Sequence, residues 1–385
     1  MERIFIFIIK ISIVFFSIFV SCSITAIGTS LSLLTLGYIG LSAIRNRFFY
    51  LEDKNLVYII LLFFASLTFS TIFSFDLYSS IKRTITILGY FILLFSILTL
   101  EKNYLKKILW IFFISISLHS LYGTVQYFTG LDILNKGYQK YHRIIGLAGH
   151  FNSLAGTLGL VFPLLFVLFY FAEDKKLKFI YAVLCFPVVS GIFLTFTRGI
   201  WLGLFVFFLL FGLLIERKFL IFLGAFLFLL LIYSPTRHRL TLTFENIDIV
   251  RKEFIKLTPK MILKRPILGY GPDSFRKVFY QENPEFKEKG HFHPHNMYLH
   301  ILFENGILGF FLFFCLFFKL IRNLIKIYYN SQEKYVRNFS LGVLGSVLVF
   351  LVYGFVDEPF RAHYAPYVLF FLISSSYNLG LLSQK

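Results

Sequence analysis

Long apolar runs separated by short polar breaks occupy most of the chain. Runs of about 17 to 22 residues are long enough, as helices, to cross a hydrocarbon core of ~30 Å. The pattern predicts twelve such helices, at 4–24, 25–44, 56–75, 81–100, 106–128, 151–172, 178–196, 199–215, 218–233, 297–318, 338–356 and 364–383. The runs are continuous rather than alternating, which argues against a membrane barrel. One interruption is long. It divides the chain into 1–233 with nine helices, a loop at 234–296, and 297–385 with three helices. The expected fold class is an all-α polytopic membrane protein with about 12 transmembrane helices and one large extramembrane loop. Within that loop Ile247, Val250, Phe254, Leu257 and Met261 recur at three and four, the helical period. Arg251, Lys252, Lys256 and Lys260 take other faces, which predicts a helix lying in the interface, with Pro259 as a point of breakage.

Composition agrees: 57% of the 385 residues are hydrophobic and 15% charged, and the mean hydropathy is +0.75. The net charge of +18 would suggest nucleic acid in a soluble chain. Here the basic residues fall in the breaks, where topology and anionic lipid account for them. With the N-terminus inside, sixteen lie on the inner side: Arg45, Arg47, Lys54, Lys102, Lys106, Lys107, Lys175, Lys176, Lys178, Arg217, Lys218, Lys319, Arg322, Lys326, Lys334 and Arg337. The short outer breaks hold five, Lys136, Lys140, Arg143, Arg198 and Arg361. The positive-inside rule therefore puts both termini inside and the 234–296 loop outside. Lys10, within the first helix, is expected to snorkel to the inner face. Cys22, Cys185 and Cys315 all lie in apolar runs, so neither a disulfide framework nor a thiolate metal site is indicated. The first run shows no small-residue cleavage site and is expected to be a retained helix.

Candidate chemistry concentrates in His291–Phe310. Three alternating histidines, His291, His293 and His295, precede a long apolar run. Pro294 stops any helix arriving from upstream, and Asn296 suits the N-cap of the next one. His295 then sits at the water boundary. Gly306 falls ~16 Å down that helix; with Gly309 it makes a face for close helix approach. His300 and Glu304, at i,i+4, fit a buried pair that satisfies both groups. An extended histidine segment would suit zinc, but no Asp, Glu or Cys in it completes a ligand set. Elsewhere, Lys82 and Arg83 follow the outer turn Ser74–Ser80 and are placed either against headgroups or against an anionic ligand. Asn152 caps the sixth helix or binds substrate. Arg198 sits at a break between two helices, costly unless paired or wetted. Arg265 opens Arg265-Pro-x-x-Gly269-x-Gly271-x-x-x-Phe275; its Gly-x-Gly lacks the strand, third glycine and helix of a dinucleotide site. His119 is expected to be a satisfied packing residue in its helix. Asp273, Asp357 and Glu358 are scattered with no spacing that groups them, so no acidic Mg²⁺ site is expected.

His295-Asn296, nine residues, Gly306, two residues, Gly309 resembles the motif of the bacterial O-antigen ligase and polymerase superfamily, with Leu299 and Glu304 in familiar positions. Thr197-Arg198-Gly199, the Arg265 to Phe275 pattern, the Gly-rich approach to Asn152 and the Ser74-x-Asp76 turn are similar to family segments. The resemblance implies a GT-C-like membrane enzyme in the bacterial inner membrane, its site facing the periplasm. It would move a glycan from undecaprenyl diphosphate to an acceptor hydroxyl without cofactor or metal. O-antigen ligation to lipid A-core is favoured; repeat-unit polymerisation and protein O-glycosylation are the alternatives. His295 would be the base, and Arg198 and Arg265 would hold the diphosphate. Lys82, Arg83, Asn152 and Asn296 would bind substrate. Membrane lipids are implied as partners and nucleic acid is not. A lipid-glycan transporter would need midplane charges and two related halves, and neither is evident.

Overall fold

A computed structural model describes residues 1–51, 53–132, 137–138, 143–237, 249–289, 294–362 and 364–381. Helices occupy all twelve predicted segments. They are α1 (Glu2–Phe19), α2 (Ile24–Arg45), α3 (Lys54–Ile72), α4 (Leu77–Ile97), α5 (Lys102–Thr129), α6 (Phe151–Phe171), α7 (Lys175–Leu194), α8 (Arg198–Leu214) and α9 (Phe219–Ile232). After the long connection come α12 (Met297–Asn330), α13 (Lys334–Tyr353) and α14 (Ala365–Leu381). Eight of the described helices are long and apolar enough to cross a membrane, while α8 and α9 are shorter. The connection carries α10 (Ile249–Ile262) and α11 (Phe275–Glu282). The protein is an all-α, multi-pass membrane protein.

Two helices form the centre. Every residue of α6 from Leu154 to Leu168 is buried, and α14 is buried throughout its described side chains. A helix that is apolar on all faces has to be enclosed by other helices or by lipid, and these two are enclosed by helices. Close packing relies on small residues: Gly342 of α13 sits against the Leu164 backbone of α6, and Ser346 Oγ donates to Leu160 O at 2.5 Å. By contrast α9 leaves Phe228, Leu231 and Ile232 exposed.

Successive helices reverse direction, so their connections gather at two ends. At one end acidic residues pair with the basic breaks: Glu2 with Arg45 (2.6 Å), Asp53 with Lys319 (2.8 Å), Glu173 with Lys334 (2.5 Å) and Glu333 with Lys102. Lys10 reaches this end too, 3.4 Å from Glu101 and over the Tyr104 ring. Apart from the largely buried Asp53–Lys319 pair, contacts this near the surface add little stability; together they mark the basic end of the bundle.

At the other end residues 270–277 of the long connection dock on the turn before α4. Asp76 N-caps α4, accepting from Ser79 N–H at 3.5 Å, and pairs with Lys277 of α11. Lys277 and the Ser79 hydroxyl hold the Asp76 carboxyl below the usual carboxylate range. Phe75 N–H donates to Tyr270 O (2.8 Å) and Ser80 Oγ to Pro272 O (2.7 Å). Phe254, Met261, Phe275, Phe279 and Phe286 make a second small core with Phe303 of α12. The predicted amphipathic helix is therefore present as α10, but its Phe254 and Met261 are buried in this core rather than spread on an interface. Pro259 lies inside α10 without ending it. Ile247 lies outside the described residues, as do Lys136, Lys140, His291 and His293.

The expectation of an unbroken α12 with a glycine face is corrected. Gly306 has φ +61° and ψ −171°, so the helix is interrupted there. α3 does approach at Gly309, where Ser66 lies alongside, but what approaches Gly306 is the backbone of 266–271. Ile307 N–H donates to Pro266 O (2.8 Å), while Tyr270 and Gly271 N–H donate to Phe303 and Glu304 O at 3.1 and 2.8 Å. The donors and acceptors freed by the break are thus satisfied by the inserted strand of chain. Gly269 has φ +71°, and a Cβ there would lie 2.5 Å from the Glu304 backbone. The Arg-Pro-x-x-Gly-x-Gly pattern is a splice into a broken membrane helix.

Candidate active site

A cavity of about 560 Å³ opens at the end of the bundle opposite the basic one. Lys82 and Arg83 come from the first turns of α4. His150, Asn152 and Ser153 come from the start of α6. Asp273 comes from the long connection, and Tyr353, Asp357, Glu358 and Arg361 from α13 and the turn after it.

The cationic wall is Lys82 and Arg83. Arg83 is anchored by neutral groups, donating through Nη2 to Phe360 O at 2.7 Å. The Lys82 ammonium lies 4.3 Å from the centre of the Tyr78 ring. Neither forms an ion pair with an acid among the described residues. Their charge is available to a ligand.

The opposite wall is built around Asp357. Asn152 Nδ2 (2.9 Å) and the Tyr353 hydroxyl (2.7 Å) donate to its Oδ2, and Glu358 N–H (3.0 Å) to its Oδ1. Asn152 in turn accepts from the Thr197 hydroxyl at 3.3 Å. Arg143 pins that turn, donating to Thr195 O (2.7 Å) and Thr197 Oγ1 (3.1 Å). The cap of α6 is His150, whose ring accepts from Asn152 N–H. Asn152 is therefore released from capping and faces the cavity.

His295 lies behind this wall. Its Nδ1 is 3.7 Å from Asp357 Oδ1, and a quarter of its side chain (27%) is exposed. That distance is outside hydrogen-bond range; such contacts often tighten when substrate binds. The backbone at His295 is left-handed, φ +51°, between Pro294 and the N-cap Asn296. Phe196 and Asp273, at φ +49° and +58°, share that conformation. Three of the four described non-glycine residues with positive φ thus flank one site, and strain of this kind gathers where a side chain must be aimed.

The remaining sequence candidates are placed as follows. Asn296 is used by structure, accepting from Leu299 N–H (3.0 Å) and donating to Phe355 O (3.2 Å). Arg198 is half-buried at the first residue of α8, next to Thr197, and is not part of the cavity lining. Arg265 is exposed, over the Tyr270 ring (5.1 Å) and 3.4 Å from Phe73 O, away from the lining. His119 contacts Ser21 Oγ in the helix packing. His300 and Glu304 do meet, at 2.7 Å.

Asp273, Asp357 and Glu358, scattered in sequence, converge on this one cavity. Each is engaged: Asp273 by Arg361 (2.5 Å), Asp357 by Asn152 and Tyr353, Glu358 by His300 (2.8 Å). Among the described residues no group of three His, Cys, Asp or Glu is arranged to hold a metal ion. Sequence reasoning missed this wall; the signal that could have found it is Asp357-Glu358-Pro-Phe-Arg361, a dense charged run in a very short outer turn.

Residues 184–314 match the family model described as O-antigen ligase. The match supports the O-antigen ligase and polymerase superfamily. Members are membrane glycosyltransferase-like enzymes that work between a glycan donor and an acceptor, in lipopolysaccharide-related chemistry. The matched stretch contains Arg198, Arg265, His295 and the Gly306 break, whereas Lys82, Asn152 and Asp357 lie outside it. The O-antigen ligase match thus covers only part of the cavity. No curated protein matches the chain.

Proposed function

We propose that the protein transfers a glycan from undecaprenyl diphosphate to an acceptor hydroxyl at this cavity, as an O-antigen ligase acting on lipid A-core. The observation that carries the reading is the division of the cavity. Lys82 and Arg83, free of acidic partners among the described residues, face a wall centred on Asp357, which touches His295. The donor leaves as a diphosphate, and cations stabilise the charge that grows on the leaving oxygen. A guanidinium does so with paired donors and stays ionised at any working pH. Below the cavity α4 exposes Ile81, Ile85 and Leu88, an apolar surface for a polyprenyl chain. His295 takes the proton of the acceptor hydroxyl as the general base. Arg198, beside the Thr197–Asn152 contact, approaches the same ligand once bound, and Arg265 serves the donor headgroup at the surface of the long connection.

Arginine and lysine take the place of a metal in this mechanism. Purified protein supplied with an undecaprenyl-diphosphate-linked oligosaccharide and lipid A-core is expected to join them, and to do so equally after chelator treatment. Absence of transfer to any hydroxyl acceptor would overturn the reading. Activity lost to chelator and restored by Zn²⁺ or Mg²⁺ would overturn the metal-free part of it. Extension of a second repeat unit in place of lipid A-core would make the enzyme a polymerase.

The cavity end is assigned to the periplasm and the basic end to the cytoplasm of the inner membrane. Cysteines at Lys264 and Lys176, both exposed, test this after the three native free cysteines are changed to serine. An impermeant maleimide added to intact cells should label position 264 and spare 176. The reverse pattern would invert the topology.

A further inference from the structure

Five residues beyond His295, the His300 ring lies between two carboxylates. Its Nε2 is 2.7 Å from Glu304 Oε1, one turn along α12, and its Nδ1 is 2.8 Å from Glu358 Oε1 in the turn after α13. His300 is 4% exposed, and both glutamates are 6% exposed. Both contacts are at ion-pair distance. The Phe275 ring closes a further side, its centre 5.4 Å from that of His300. His300 borders a cavity of about 20 Å³, room for roughly one water, and is not among the residues that line the larger one. The proposed transfer makes no use of it.

Its neighbours nevertheless belong to the site. Glu358 follows Asp357, and His300 is on the helix that His295 precedes. The two elements face each other through a tandem, His295 with Asp357 and His300 with Glu358. They also share a backbone contact, Met297 N–H reaching Gly354 O (2.8 Å) and Asp357 O (3.1 Å). A carboxylate removed from water is costly unless a cation faces it. Glu358 is therefore bound to the position His300 offers, and a slip of one residue between the elements would part both pairs at once.

We propose that His300 is a positioning residue for the transfer: by engaging Glu358 it sets the register of the 354–364 turn against α12 and so holds Asp357 against His295. This rests on the reading of His295 as the base. Neither His300 nor Glu358 is required to touch the acceptor or the reacting oxygen. Loss of either partner should act alike, and loss of both should be no worse than loss of one, because they form a single contact.

The test uses the full chain in lipid nanodiscs, with ¹⁵N in the histidine rings and His295 assigned through His295→Gln. In His300→Gln and in the near-isosteric Glu358→Gln, the His295 ring signals should move in the same direction, and the double variant should move them no further. An unmoved His295 signal in the variants, with thermal melts matching the parent, overturns the proposal. In the transfer assay kcat should fall on the order of tenfold in each variant with donor KM little changed. An unchanged kcat, or additive losses in the double variant, overturns it as well. Should the parent protein transfer nothing, the proposed function fails, and the ring signals alone still decide whether His300 positions His295.

Discussion

His295→Ala is expected to lower turnover by on the order of 10²–10⁴, the usual cost of removing a general base, while donor binding survives. Asp357→Asn should follow it in kind. The carboxylate stands 3.7 Å from Nδ1 and is itself held by Asn152 and Tyr353. It is thus poised to choose the tautomer that leaves Nε2 free to accept a proton. The amide keeps the shape but offers the ring a donor on one side, and it removes the charge that balances imidazolium as the proton arrives. Because the two residues act as a unit, the double variant should be no slower than His295→Ala alone.

The measurement is a pair: transfer rate at saturating donor, and donor affinity by direct binding, on variants whose melts match the parent. Near-parental transfer by His295→Ala removes the base assignment. Full activity in Asp357→Asn with His295→Ala inactive leaves the base and removes its orienting partner. A loss of donor affinity equal to the loss of rate in both would place the pair on the donor instead of the acceptor.

The helical plan was legible because burial in a membrane is written in composition. A segment with continuous apolar character has few alternatives to a helix there, and all twelve predicted segments are helices. The two-ended charge pattern was legible for the same reason. What could not be seen was anything that depends on which turns meet. Lys82, Asn152 and Asp357 are hundreds of residues apart in part and share no spacing, yet α4, α6 and α13 bring them to one cavity. The acids share no spacing for the same reason. Asn152 and Asn296 looked alike as caps, and only the structure separates them: His150 takes over the cap of α6, leaving Asn152 to Asp357, whereas Asn296 caps α12 itself. Arg265 stood out because its motif stood out. The glycines of that motif have their own reason, the backbone splice, and the arginine beside them does not line the cavity.

That splice leads to the second large effect. Gly306→Ala should leave little folded protein. At φ +61° and ψ −171° the residue occupies a region open in practice only to glycine, where a side chain costs about 1–3 kcal/mol from the backbone alone. Space adds to the penalty, since a Cβ would lie 2.1 Å from Ile267 O and 2.7 Å from Leu268 N. Both are backbone atoms, so no rotamer change relieves the overlap; the 266–271 segment would have to withdraw. Withdrawal would strip the bonds from Ile307 N–H to Pro266 O and from Tyr270 N–H to Phe303 O, leaving polar groups unsatisfied at the break in α12, each at a cost of roughly 1–3 kcal/mol. It would also unseat Asp273 and Phe275, and with them Arg361 and the packing around His300. Gly224→Ala in α9 is the control, because nothing lies within 4 Å of a Cβ there and alanine favours a helix. Melting in detergent should show a large fall for Gly306→Ala, with loss of transfer, and no fall for Gly224→Ala. If Gly306→Ala melts with the parent, α12 can close its own break, and the inserted segment is not what holds the site end of the bundle together.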